Sequence, residues 1–164
     1  MPTVQDLVTR YAEGPDQLRA ALDGLPETTL DLASGKGRWT IRQIVHHLAD
    51  GDDLWGFFIK AAVGGSDSLF SLQWYWERTQ DEWVVAWNYA SRPIEPSLEL
   101  IEARRRSIVQ LVEQVSGAIE KGISMQMRDG SKKIVTVGDI LEIQSRHVDD
   151  HVEEIRSIRQ KYRV

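Results

Sequence analysis

A chain of 164 residues with 20 basic and 25 acidic side chains carries a formal charge of −5; it fits one domain, spanning 1–164, that buries its own core, and argues against a dedicated nucleic-acid surface. The absence of cysteine excludes disulfides, cysteine-based zinc sites and a protein thiol nucleophile. The opening Met1-Pro2-Thr3-Val4-Gln5-Asp6 lacks the basic and apolar regions of a secretory signal, and no apolar run approaches the roughly 20 residues of a membrane-spanning helix, so the expectation is a soluble cytoplasmic protein with no membrane partner.

Apolar residues recur mostly at helical spacing. The first segment covers about residues 4–25, with Leu7, Val8, Tyr11, Leu18, Leu22 and Leu25 inward, and Gly14-Pro15 is expected to kink or interrupt it. A loop holding Gly24, Pro26, Gly35 and Gly37 follows. Thr40 with Gln43 then forms a capping box for a second helix that runs to about Val63 and stops at Gly64-Gly65. Residues 72–89 concentrate Trp74, Trp76, Trp83 and Trp87, and Arg92-Pro93-Ile94-Glu95-Pro96 closes that region.

Ser97 is placed to cap a further helix through about Glu120, with Leu98, Ile101, Ile108, Leu111, Val112 and Val115 as core residues. Residues 123–128 and 133–135 flank Asp129-Gly130, a hairpin signal. Thr136 and Asp139 start the last helix. The expected product is an all-α bundle whose long helices begin near Val4, Ile41, Leu98 and Val137, decorated by the hairpin and the tryptophan-rich segment.

The four histidines fall in two pairs, and imidazole is the commonest protein metal ligand. On the last helix Ile140, Gln144, His147, His151, Ile155 and Ile158 follow steps of three and four, so both histidines lie on a largely apolar stripe with Cβ atoms roughly 5–6 Å apart. On the second helix the same spacing links Ile44, His47, Leu48, Gly51 and Trp55, making His47 the inward candidate. His46 falls nearer Arg42, Gln43, Asp50 and Asp53 and is expected on the outer side or behind the site.

Three inward imidazoles leave a coordination position for water or substrate, which suits catalysis more than structural closure, because structural zinc takes four protein ligands. Neutral ligands leave the ion a strong Lewis acid, able to lower the pKa of bound water or to deprotonate an arriving thiol. Asp50, Asp149, Asp150 and Glu154 lie close in sequence, and any of them could orient a ring by accepting its second N–H. Spacing alone also allows the bland alternative, a solvated His-x-x-x-His or a hydrogen-bonded core histidine.

The tryptophans, with Tyr75 and Tyr89, fit ordinary core packing first, and a pocket wall or a dimer face as alternatives. Arg104-Arg105-Arg106 reads as a solvated face with Glu102 four residues before Arg106. Gly35-Lys36-Gly37 lacks the spacing of a phosphate loop and reads as a turn. With no Gly-x-Ser-x-Gly elbow, serine hydrolase chemistry has no motif.

The segment Trp39-Thr40-Ile41-Arg42-Gln43-Ile44-Val45-His46-His47-Leu48-Ala49-Asp50, followed near the C-terminus by His147-x-x-x-His151, resembles the DinB/YfiT-like superfamily of metalloenzymes. That family's pattern sets a Trp-[Ser/Thr]-Ile/Val start before a His-Leu-Ala-Asp helix and ends on a His-x-x-x-His helix. The likeness extends over nearly the whole chain, hairpin-like insert included. It implies a four-helix up-down-down-up bundle with a divalent ion, zinc or nickel foremost, held by His47, His147 and His151. It further implies homodimers, a small-molecule substrate, and S-transferase activity with a low-molecular-weight thiol such as bacillithiol or mycothiol, as in mycothiol-dependent maleylpyruvate isomerase; metal-dependent hydrolysis and a non-catalytic metal- or ligand-binding bundle are the alternatives. Gly51-Asp52-Asp53 departs from relatives that often carry Ser or a bulkier polar residue there, a difference that bears on substrate preference.

Overall fold

Helix α1 (Val4–Leu22) opens on Thr3, whose hydroxyl accepts from the Asp6 amide while the Asp6 carboxylate accepts from the Thr3 amide. The computed structural model describes residues 3–164, so Met1 and Pro2 of the signal-peptide reading lie outside the described residues. Against expectation, α1 runs unbroken through Gly14-Pro15. Pro15 has no N–H for the Tyr11 carbonyl four residues back, and Arg105 Nη1 donates to that oxygen instead, at 3.0 Å. Gly14 makes the approach possible, because a Cβ there would overlap the same guanidinium. The helix ends before Leu25, at a turn in which Gly24 takes φ +72°.

Helix α2 (Ile41–Val63) starts on the expected Thr40–Gln43 box and stops at Gly64-Gly65. The tryptophan-rich region that follows forms a short strand, β1 (Leu69–Ser71), and two short helices, α3 (Gln73–Trp76) and α4 (Gln80–Ala86). Helix α5 (Glu95–Gln114) begins earlier than expected, with Pro96 in its first turn, where a fixed φ and a missing N–H cost nothing. Ser97 is therefore inside the helix, and its hydroxyl is committed to His46 rather than to capping. The helix also ends before Glu120, ahead of a turn with Gly117 at φ +68°.

Strands β2 (Gly122–Gln126) and β3 (Lys132–Thr136) pair antiparallel around Asp129-Gly130, with Ile123 opposite Val135. The reading missed β1, which lies parallel to β2 and completes a three-stranded sheet ordered β1-β2-β3; three residues are too few to show a period of two. Helix α6 (Val137–Tyr162) starts on the Thr136–Asp139 box.

Side-chain contacts give the helix directions. Arg10 meets Asp149 and Arg159 meets the Ala21 carbonyl, so α1 and α6 run parallel. His46 meets Ser97 and Asp52 meets Arg105, so α2 and α5 run parallel. Arg19 reaches Glu95 and Glu102 while Tyr11 lies by Arg105, which sets α5 antiparallel to α1. Gly51 lies beside His147 and Arg38 meets Glu154, which sets α6 antiparallel to α2. The order is up-down-down-up.

Two apolar clusters fill the bundle. One contains Leu18, Ile44, Leu48, Ile101 and Ile155, the other Tyr11, Ile59, Ile108, Ile123 and Leu141. Between them in every helix lies a polar layer centred on Arg105, which is 0% exposed. Its guanidinium donates to both Asp52 oxygens (2.6 and 2.9 Å), to the Gln144 carbonyl (3.1 Å) and to the Tyr11 carbonyl. This corrects the reading of Arg104-Arg105-Arg106 as a solvated face: Arg106 is exposed, Arg104 pairs with Asp53 across the bundle surface, and Arg105 is core. Three consecutive helical residues do point in three directions, and one of them points in.

Removing one partner of a buried pair leaves the other charge uncompensated, at a cost of about 3–5 kcal/mol. Arg105→Met is expected to lose that much in urea denaturation; a loss below about 1 kcal/mol, the scale of an exposed pair, would contradict the assigned role.

Candidate metal centre

The antiparallel pairing of α2 and α6 brings His47, His147 and His151 together, with one ligand atom from each within 4.8 Å of the others. His47 Nε2 and His147 Nε2 are 2.8 Å apart, one ring donating to the other. Ring centroids lie 4.8–5.3 Å apart, and the rings meet edge to face. All three residues predicted for the site are thus in one place.

Behind the rings, Glu154 accepts a hydrogen bond from His151 Nδ1 (3.3 Å). A carboxylate only accepts, so this bond puts the proton on Nδ1 and turns the bare Nε2 toward the site. Glu154 is itself held by Arg38 at 3.2 Å. Of the other expected ring-orienting carboxylates, Asp50 accepts from the Tyr89 hydroxyl, Asp149 pairs with Arg10, and Asp150 lines the cavity. Trp39 had no assigned role beyond the motif. It stacks on His151 (6.2 Å, 12°) and meets His47 edge-on (4.6 Å), with its own Nε1–H given to Asp81 at 2.7 Å.

His147 has no such partner. Its buried Nδ1 makes no hydrogen bond among the described residues, and its ring lies against Gly51, where a Cβ would sit 3.6 Å from Cε1.

Burial lowers all three imidazole pKa values. His47 falls to about 3 through burial and then the neighbouring His147 and His151, and His147 to about 4 through burial and then His151 and Arg105. His151 is lowered by burial against the opposing pull of Glu154. At neutral pH the cluster therefore offers three neutral nitrogens. A tetrahedral zinc with Zn–N of about 2.0–2.1 Å sets its nitrogens about 3.4 Å apart, a spacing that lies between the 2.8 Å contact and the 4.8 Å limit seen here. The donor set fits one divalent ion.

The histidines form one end of a cavity of about 690 Å³ with aromatic walls from Trp39, Trp55, Tyr75 and Trp76. Core packing, the first reading of the tryptophans, holds in part for Trp76, which packs against the apolar cluster of Tyr11 and Ile59, and does not hold for Trp74, Trp83 and Trp87. Trp74 is 48% exposed, and Trp76, Trp83 and Trp87 are half-buried. Trp83 and Trp87 stack at 4.5 Å, Tyr75 stacks on Trp83 at 5.7 Å, and Trp74 meets Trp83 edge-on at 5.6 Å.

His46 is a second correction. Expected on the outer side or behind the site, it is 1% exposed and points instead at α5. Its Nε2–H donates to the Arg92 carbonyl (3.1 Å), which leaves Nδ1 to accept from the Ser97 hydroxyl (2.8 Å). Helix α2 is covered from two sides, by α5 and α6, so both adjacent histidines are enclosed and a single-stripe reading finds only one of them.

Residues 10–155 match the sequence profile of the DinB superfamily. The chain belongs to the DinB superfamily. It is 28% identical to a protein of Geobacillus thermodenitrificans provisionally named a metal-dependent hydrolase, over 96% of this chain and 85% of that one. A Geobacillus kaustophilus protein with the same provisional name is 24% identical over 96% and 85% of the two chains. Among solved structures, the bundle matches YfiT from Bacillus subtilis, described as a probable metal-dependent hydrolase with an unusual four-helix bundle topology (TM-score 0.82, 19% identity, covering 99% of this chain and 90% of YfiT). It also matches the mycothiol-dependent maleylpyruvate isomerase (TM-score 0.69, 14% identity, 94% of this chain and 61% of that one). This DinB chain thus shares its fold with both, and it is homologous to proteins named for metal-dependent hydrolysis.

The lowered imidazole pKa values fix the sign of a pH effect. Below an unfolded value near 6.5 the unfolded chain binds protons that the folded triad refuses down to about 3–4, so metal-free stability is full above pH 6.5 and falls as pH drops through that window. Thermal melting in EDTA at pH 7, 5.5 and 4.5 is expected to show this fall, and His47→Gln is expected to flatten it; an unchanged slope in the variant would contradict neutral burial of the triad.

Proposed function

We propose that His47, His147 and His151 hold a divalent metal ion, zinc or nickel, and that the chain is a metal-dependent enzyme acting on a small molecule. One observation carries this reading: three neutral imidazole nitrogens within 4.8 Å of one another at the end of an aromatic-lined cavity of about 690 Å³. Such an ion supplies Lewis acidity, lowering the pKa of a water or thiol that reaches it. The same reading takes the chain as a single domain, cytoplasmic and homodimeric.

The residues of the chain divide the remaining work. Glu154 keeps the His151 proton on Nδ1, Trp39 fixes the planes of two rings by contact, and Gly51 leaves room for the third. Asp150 lines the cavity and is assigned in this proposal to take up the proton that a nucleophile releases.

For the nucleophile, the first reading is a low-molecular-weight thiol. The chain has no cysteine, the cavity is within the size range of small-molecule sites, and the bundle is similar to one that uses mycothiol. Hydrolysis is the second reading, favoured by the names of the relatives.

Protein purified without a histidine tag is to be assayed for metal, then for transfer of bacillithiol, mycothiol or glutathione to monochlorobimane, alongside ester, amide and phosphate substrates without thiol. Metal-dependent turnover that needs a thiol supports transfer; turnover without one supports hydrolysis; bound metal with neither is the non-catalytic outcome. His151→Ala is expected to lose metal and rate together, and full activity in that variant would refute the ligand assignment. Glu154→Ala is expected to weaken metal binding about 10–100-fold, and unchanged affinity would remove its orienting role.

A further inference from the structure

A second chamber of about 540 Å³ opens beside the histidine cavity, and the two share Gly51, Leu54 and Tyr75 as walls. Trp74, Tyr75 and Trp87 supply flat apolar faces, and the Tyr75 ring is backed by stacking on Trp83 and on Trp87 (5.7 and 6.3 Å). A wall of stacked rings presents a rigid surface at little cost in side-chain freedom.

The chamber also holds three charged residues, of which Arg92 is the one cation. Asp53 is paired with Arg104, while Asp50 keeps its charge and accepts from the neutral Tyr89 hydroxyl. The Arg92 guanidinium has no carboxylate partner among the described residues; it lies over the Tyr89 ring, with its central carbon 5.9 Å from the ring centre. Its backbone is nevertheless fixed. The Arg92 carbonyl accepts from His46 Nε2 (3.1 Å) and from Arg42 Nη1 (3.2 Å), and Arg42 is itself held by Asp31 and Glu27 at 2.8 Å each. Two side chains, one of them fully buried, thus pin the base of an unpaired cation at the chamber wall.

We propose that this chamber is a substrate subsite for a planar aromatic group carrying a carboxylate or similar monoanion, with the rings of Trp74, Tyr75 and Trp87 holding the plane and Arg92 the charge. Gly51 is what joins the chamber to the histidines. A substrate seated here directs its other end past Gly51 toward the His147 ring, which a larger side chain at position 51 would obstruct. The direction of that reacting end rests on the proposed metal centre; the chamber does not.

The test therefore uses metal-free protein. EDTA-treated wild type is titrated calorimetrically with 2-naphthoate, the neutral 2-naphthamide and the cationic 2-naphthylmethylamine. The expected order puts naphthoate about tenfold tighter than naphthamide, the gain typical of a charge-assisted contact, and the cation weakest. Arg92→Gln, a change at an exposed side chain, is expected to remove the preference for naphthoate and leave naphthamide unchanged. His151→Ala is expected to alter naphthoate affinity less than twofold. The proposal is overturned by tighter binding of the cation, by a naphthoate preference that survives Arg92→Gln, by loss of binding in His151→Ala, which would place the anion at the histidines, or by no binding of any of the three. Failure of metal uptake with Arg92-dependent naphthoate binding intact would remove the metal reading alone, so the two claims fail separately.

Discussion

One buried guanidinium ties the four long helices together. Arg105 projects from α5 and bonds to a carbonyl of α1, a carboxylate of α2 and a carbonyl of α6, in a layer between two apolar clusters that could otherwise slide past one another. A buried pair of this kind adds little net stability over an apolar replacement, but it is costly to half-remove, and its contacts join all four helices at one level. The layer adjoins the histidines. Asp52 follows Gly51, the residue against which His147 packs, and Gln144 lies one turn before His147 with its amide nitrogen donating to Asp52 and its oxygen accepting from Trp55 Nε1, each at 3.1 Å. The same contacts that excuse Pro15 in α1 therefore set how α2 faces α6.

That register places three imidazoles where burial keeps them neutral. Neutrality has two consequences for an ion: no net proton has to be released at pH 7, since the N–H shared between His47 and His147 needs only to move to the far nitrogen of its ring, and no ligand charge offsets the ion's own. The surroundings constrain the rings unequally, His151 by a carboxylate, His47 by a tryptophan face, and His147 by packing against Gly51. The aromatic segment between β1 and α5 closes the other side of the cavity.

Much of this was legible from local pattern. The boxes Thr40–Gln43 and Thr136–Asp139 start their helices where the spacing places them, Asp129-Gly130 turns the hairpin, and the steps of three and four single out His47, His147 and His151. What was missed depends on contacts distant in sequence. Arg105 reads as one of three surface arginines until Asp52, Tyr11 and Gln144 are brought around it, and Pro15 reads as a break until Arg105 supplies the missing donor. His46 reads as outward because a helical wheel has one inner face, whereas α2 has two. The tryptophans read as core because nothing local says that α3 and α4 lie over a cavity.

The central claim is that nitrogens from both ends of the chain share one ion. X-ray absorption at the metal edge of protein purified without a histidine tag tests it most directly. The account predicts one ion per chain with three imidazole nitrogens, at about 2.0–2.1 Å if it is zinc, and loss of the signal in the His47→Ala, His147→Ala, His151→Ala triple variant. An ion retained with the same imidazole shell in that variant would contradict it.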